Sequence, residues 1–261
     1  MRIVIKVGTS TLTHKTGNLN IRHVEQLCKV ISDLKGAGNE IILVSSGAIG
    51  MGVGKLSLLE RPGDMPTKQA AAAVGQCELM YTYDKLFSEY GHVVGQVLVT
   101  GSDLKDPVRY ENFKNTLNRL IELRALPIVN ENDTVATEEI SLGDNDTLGA
   151  IVAVGADAEL LILLSDIEGL YTADPHTDCN AKLIPAVYEM SGDVLAAAGG
   201  AGTKLGTGGM QTKLHAAEIC MENGIDMIIA DGSRPDLLYG IADGKQVGTR
   251  FYGRKKENGD G

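Results

Sequence analysis

At 261 residues, 43% hydrophobic and 22% charged, the chain has the composition of a soluble globular protein, long enough for one large α/β domain or two smaller ones. Its formal net charge of −10 disfavours nucleic-acid or anionic-membrane binding and leaves a few placed lysines to meet any anionic substrate. Nothing approaches the ~20 apolar residues of a membrane span. The N-terminus lacks the apolar run of a signal peptide, and the four cysteines form no Cys-x-x-Cys pair, so free thiols in the cytoplasm are expected.

The rhythm along the chain is strand, glycine turn, helix. Ile3 to Val7 reads as a buried strand and Ile21 to Leu34 as an amphipathic helix, with Val24, Leu27, Ile31 and Leu34 at helical spacing and Gly36 and Gly38 as stops. Strands are predicted over Glu40 to Ser45, Val93 to Val99, Pro127 to Asn130, Leu160 to Leu164 and Met227 to Ala230. Helices are predicted over Lys68 to Ser88, Val108 to Leu123, Asp146 to Val154, Met210 to Asn223 and Pro235 to Ala242. Thr134 to Leu142 alternates like a small hairpin, and Ser165 to Ala201 is loop-rich. Such alternation implies a three-layer α/β/α sandwich with a mostly parallel central sheet. A lobe division is expected near residues 165 to 170, and a mobile tail from about 254 to 261.

The residues at the strand ends suggest phosphate chemistry. Ile3 to Val7 runs into Gly8-Thr9-Ser10, and the second strand into Ser45-Ser46-Gly47, which is how open α/β sheets bring backbone N–H groups to an anion. Neither Gly-x4-Gly-Lys-[Ser/Thr] nor a Gly-x-Gly-x-x-Gly after the first strand occurs, so the phosphate-binding parts are dispersed. Lys6 lies within a buried strand and needs an anionic partner. Asn130-Glu-Asn-Asp133 and Gly143-Asp-Asn-Asp146 supply carboxylates for an ammonium and amides for a carboxylate, as an amino acid would require. Gly206-Thr-Gly-Gly-Met-Gln-Thr-Lys213 opens a helix as an anion site would. Two lysines, Lys6 and Lys213, could each hold a phosphate oxygen while Asp146 holds both ammonium groups. Ordinary serine caps, Asx turns and a glycine-rich surface loop are the bland alternatives for these segments taken singly.

The same segments, with Gln69-Ala-Ala-Ala-Ala-Val-Gly-Gln76, Pro127-Ile-Val-Asn-Glu-Asn-Asp133 and Gly169-Leu-Tyr-Thr-Ala-Asp-Pro175, resemble the amino acid kinase family over nearly the whole chain. The chain is most similar to members that phosphorylate the side-chain carboxylate of L-glutamate with ATP and Mg2+. The resemblance implies a kinase domain over 1–253, with the amino-acid side in about 1–164 and the ATP side in about 165–253. It implies that Lys6, Asp146 and Lys213 are catalytic and that Ser46, Asp133 and Asn145 hold glutamate. ATP would be held by Lys6, Ser165, Asp166, Thr207, Gly208, Gly209, Met210, Gln211, Thr212 and Lys213, with Mg2+ carried mainly by the ATP phosphates and no protein metal site. Proline as feedback inhibitor, a homo-oligomer, coupling to the dehydrogenase that reduces the product, and a cytoplasmic location with no nucleic-acid or membrane partner are further implications. Many members continue into a C-terminal PUA domain of the RNA-binding type, whereas this sequence stops near the end of the kinase domain. Ser165 stands where threonine is common. The rivals are a family member acting on acetylglutamate, a phosphonate or a small phosphate, and a non-catalytic nucleotide sensor on the same fold.

Overall fold

The computed structural model describes residues 1–14, 18–136, 145–175, 177–198 and 209–254. In chain order the first half holds β1 (Arg2–Val7), α1 (Thr9–Leu12), α2 (Ile21–Gly36), β2 (Glu40–Val44), α3 (Ala48–Lys55), α4 (Met65–Ser88), β3 (Val94–Val99), α5 (Gly101–Lys105) and α6 (Pro107–Glu122). The second half holds β4 (Leu126–Glu131), α7 (Asn145–Gly155), β5 (Leu160–Ser165), β6 (Ala186–Val187), α8 (Gly192–Ala198), α9 (Met210–Glu222), β7 (Asp226–Asp231), α10 (Leu237–Ala242) and β8 (Thr249–Phe251). Local chemistry sets several boundaries. The Asn20 side chain caps α2, Asp64 caps α4 with Pro66 in its first turn, and Asp106 caps α6 just before Pro107. That Asp64 cap is why α4 starts at Met65, ahead of the Lys68 start expected from periodicity.

Among the described residues, eight strands form one sheet in the order β3-β4-β2-β1-β5-β7-β8-β6, parallel except for the antiparallel β7–β8 pair. The central strands are apolar on both faces, as a sheet covered on two sides requires. Ile3, Ile5 and Val7 of β1 join one core layer with α2, α4 and α10. Val4 joins the other with α6, α7 and α9. Lys6 shares the parity of Val4, so its side chain leaves β1 on the α7 and α9 side. The three-layer sandwich read from the sequence is therefore the architecture found. β5 and β7 pair over six residues across the expected lobe division, within the same sheet. Of the expected hairpin, Asp133 to Val135 form a turn in which the N–H groups of Val135 and Ala136 reach the Asn132 carbonyl, and 137–142 lie outside the described residues.

Candidate active site

β1 connects to β2 on one side, whereas β5 connects onward to the other, so a crevice opens at the carboxyl ends of these two neighbours. A cavity of about 930 Å3 lies there, within the usual range for small-molecule sites. It is lined by Lys6 and Gly8 from the end of β1, Ser46 and Gly47 after β2, Asn130 and Asp133 after β4, and Ser165 and Asp166 after β5. The first turns of α7 and α9 add Asn145, Asp146 and Lys213. Gly47 has φ of 98°, a left-handed conformation that L side chains resist, and it lets the chain turn from strand directly into α3. Neither serine caps that helix with its side chain, so the ordinary N-cap role is absent and Ser46 is left to the cavity.

The two lysines meet at one carboxylate. Lys6 Nζ lies 2.6 Å from Asp146 Oδ1, and Lys213 Nζ donates to Asp146 Oδ2 at 2.9 Å. Asp146 is 1% exposed, Lys6 9% and Lys213 6%. Burial alone would raise the Asp146 carboxyl, but the Lys6 and Lys213 ammonium groups together outweigh it and hold the group below the usual carboxylate range. Asp146 also sits in the first turn of α7, where the helix dipole favours a negative charge. Lys213, by contrast, sits in the opening turn of α9, the wrong end for a cation, and depends on Asp146 as its counter-ion. Two cations against one anion leave the trio with net positive charge facing the cavity. That suits an anion with charge spread over several oxygens.

Beside the trio lies a polar cluster built from the ends of β2 and β4 and from the helices α4 and α7. Asn145 Nδ2 donates to the Ser45 carbonyl at 2.8 Å, to Ser46 Oγ at 2.7 Å and to Asn130 Oδ1 at 3.1 Å. Asn130 Nδ2 donates to Gln76 Oε1 at 2.9 Å, and Ser45 Oγ pairs with the Tyr83 hydroxyl at 2.9 Å. The Asn145 N–H groups are thus committed within the protein, and its Oδ1 is what remains to offer a ligand. A donor for a ligand carboxylate is then the Ser46 hydroxyl rather than this amide. Asp133 completes the wall. Burial, and then the nearby Glu131 carboxylate, push its pKa up to about 6.

Lys6, Ser46, Asp133, Asn145, Asp146, Ser165, Asp166 and Lys213, all singled out from the sequence, border this one cavity. Ser165 Oγ donates to Asp166 Oδ1 at 3.0 Å. Of the remaining glycine-loop residues, Thr207 and Gly208 lie outside the described residues. Gly209 is the N-cap of α9, Met210 packs against the core, Gln211 is exposed and Thr212 Oγ1 donates to the Gly209 carbonyl. Sequence reasoning missed the individual roles of Gln76, Tyr83 and Asn130. Asn130 and Gln76 stand in segments that carry the family resemblance, but nothing local marks them as partners across 54 positions.

The model of the amino acid kinase family matches residues 1–231. A glutamate 5-kinase of Clostridium acetobutylicum is 54% identical over 98% of this chain and 96% of its own length. One from Clostridium tetani is 53% identical over 95% of this chain and 93% of its own. The glutamate 5-kinase of Caldanaerobacter subterraneus, 52% identical, is a longer protein of which 68% is covered. Among solved structures, T. acidophilum isopentenyl phosphate kinase aligns over 96% of this chain and 100% of that one, with a TM-score of 0.67 at 16% identity. UMP kinase from Ureaplasma parvum aligns over 96% and 98%, with a TM-score of 0.66 at 15% identity. These two speak for the fold alone. The chain belongs to the amino acid kinase family and, within it, to the glutamate 5-kinases.

Proposed function

We propose that this chain transfers the γ-phosphoryl group of ATP to the side-chain carboxylate of L-glutamate, forming the acyl phosphate glutamate 5-phosphate, the first step of proline biosynthesis. The observation that carries the reading is the Lys6–Asp146–Lys213 trio set in one cavity with the Ser46, Asn145 and Asp133 cluster. The relatives' name, glutamate 5-kinase, agrees with it. The attacking carboxylate is ionised at neutral pH, so no general base is needed. Catalysis then rests on positioning and on neutralising charge on the transferring group. Lys6 and Lys213 stabilise the phosphoryl oxygens, and Asp146 holds both ammonium groups at the reacting centre. Ser46 donates to the α-carboxylate of glutamate, while Asp133 and the Asn145 Oδ1 accept from its ammonium.

The ATP side comprises about 165–253, where Ser165, Asp166 and the run Thr207–Lys213 support the nucleotide. Mg2+ would be held mainly by the ATP phosphates. The chemistry of the site agrees with this, because the Asp146 carboxylate is already engaged by Lys6 and Lys213. An acyl phosphate is prone to hydrolysis, which favours direct delivery to the dehydrogenase that reduces it. Proline, with the same α-carboxylate and a cationic amine, competes with glutamate as end-product inhibitor. A homo-oligomer is supported by α4, whose outer face exposes Ala70, Ala73, Cys77 and Tyr81 before it becomes charged at Asp84 and Lys85. Among the described residues no helix is long and apolar enough to cross a membrane. The −10 charge disfavours a nucleic-acid partner, and the need for ATP supports a cytoplasmic location.

The deciding experiment is ATP turnover with a panel of amino acids, trapping the acyl phosphate as its hydroxamate with hydroxylamine. Hydroxamate formed with glutamate alone is the expected result. ATP consumption with another acceptor and none with glutamate would overturn the assignment.

A further inference from the structure

Three side chains at seven-residue spacing along α4 each reach a different part of the amino-acid wall. Gln69 Nε2 donates to the Ala136 carbonyl at 3.1 Å, Gln76 Oε1 accepts from Asn130 Nδ2, and the Tyr83 hydroxyl pairs with Ser45 Oγ. Gln76 is 8% exposed and Asn130 2% exposed, so their amide–amide contact is shielded from water.

Two backbone groups fix which way these amides face. The Glu131 N–H can only donate, and it donates to Asn130 Oδ1 at 2.9 Å. Asn130 Nδ2 must then point the other way, toward Gln76, which has to present its oxygen. The Ser45 carbonyl can only accept, so Asn145 turns Nδ2 toward it and toward Ser46 Oγ. Ser46 Oγ is therefore an acceptor within the protein, and its proton is free to be donated elsewhere. Within that frame the contacts are continuous: Gln76 anchors Asn130 from α4, Asn130 Oδ1 adds a contact to the Asn145 amide, and Asn145 meets Ser46 at the cavity wall.

We propose that Gln76 is a positioning residue for the amino-acid substrate: by accepting from Asn130 it keeps the Asn145 amide on Ser46, so that the Ser46 hydroxyl proton is aimed at the substrate carboxylate. The inference rests on the reading that Ser46 and Asn145 hold glutamate. Without the Gln76 oxygen, the buried Asn130 NH2 group loses its acceptor. Asn130 relieves this by rotating or shifting, and either movement withdraws the Oδ1 that helps hold Asn145.

The test is steady-state kinetics of Gln76→Leu, Gln76→Glu, Ser46→Ala and the double variant Gln76→Leu/Ser46→Ala. Gln76→Leu is expected to raise the glutamate KM about tenfold while the ATP KM stays within about twofold of wild type. Gln76→Glu keeps an acceptor oxygen at the same reach and should restore most of the glutamate affinity. The double variant should lose clearly less than the product of the two single effects, because Gln76 acts largely through Ser46. Three results would each overturn the inference: an unchanged glutamate KM in Gln76→Leu, an equal rise in both KM values, or effects that multiply in the double variant. If Ser46→Ala itself leaves the glutamate KM unchanged, the placement of glutamate fails, a different outcome from a failure of Gln76 alone. Should Gln76→Leu not fold, Gln76→Asn falls one methylene short of Asn130 and is read by the same criteria.

Discussion

Asp146 is held ionised by its neighbours rather than by solvent, and that makes it the most sensitive single position in the site. Asp146→Asn removes the carboxylate that the buried Lys6 and Lys213 share, and breaking a buried ion pair from one side costs roughly 3–5 kcal/mol. We expect kcat to fall at least ~100-fold together with a lower urea midpoint, both read on the purified variant. A variant with wild-type kcat would remove Asp146 from the phosphoryl chemistry. Lys213→Ala should differ, with kcat falling far more than the glutamate KM rises, since the ammonium acts on charge that develops in transit. An unchanged kcat with a raised glutamate KM would move Lys213 to substrate binding. Asp133 gives a pH dependence. Its carboxyl is raised to about 6, and a bound ammonium favours the ionised form, so the glutamate KM should climb as pH falls through about 6. The stability sign is opposite: ionising this carboxylate in the fold carries a penalty that is absent below its unfolded pKa near 3.8 and fully present above about 6. Asp133→Asn should therefore raise stability at neutral pH by roughly 1 kcal/mol while weakening glutamate and flattening that pH profile. Denaturation and KM measurements from pH 5 to 8 check both parts, and a variant that is less stable at neutral pH would refute the strain. The charged trio was legible in sequence because a lysine in a buried strand must find an anion. Gln76 was not, because a glutamine in an alanine-rich helix shows neither its burial nor its distant partner.

The long elements were legible for the same kind of reason: 16-residue helices and six-residue apolar strands hold enough periods to declare themselves. The short ones α1, α5 and β6 do not. α3 is the instructive miss, since Gly50, Gly52 and Gly54 argue against a helix by propensity. Packing overrides that preference. At Gly75 of α4 an added Cβ would overlap the Ala48 carbonyl oxygen, and at Gly52 it would overlap the Ala71 carbonyl oxygen. The glycines are there so that two helix backbones can touch, and this contact sets α3, which comes directly after Ser46 and Gly47, against the cavity. Gly75→Ala, favourable by intrinsic propensity, should instead destabilise the protein by about 2–3 kcal/mol and raise the glutamate KM through the displaced Ser46. Urea denaturation and kinetics measure the two effects. A neutral or stabilising Gly75→Ala would show that the helices separate at little cost.

At the scale of the whole molecule, residues before and after 165 share one continuous sheet, and the cavity lies where β1 and β5 meet; on the function proposed above, the amino acid takes one half of it and ATP the other. An inhibitor that occupies only the amino-acid half should therefore compete with glutamate and leave ATP binding to the other half. Proline fits that half in part. Its α-carboxylate can accept a hydrogen bond from the Ser46 hydroxyl, and its secondary ammonium can donate to Asp133 and the Asn145 oxygen. It has no side-chain carboxylate to present to Lys6 and Lys213, so it can occupy the site without accepting a phosphoryl group. We expect proline to raise the apparent glutamate KM without lowering kcat. Its inhibition constant should weaken as pH falls through about 6, in parallel with glutamate, because both amines depend on the same Asp133 carboxylate. Asp133→Asn and Asn145→Ala should blunt inhibition by proline along with affinity for glutamate. Initial rates across proline concentrations at two glutamate levels, and at pH 5.5 and 7.5, test this directly. Inhibition that persists at saturating glutamate, or that ignores pH while the glutamate KM follows it, would place proline on a different part of the molecule.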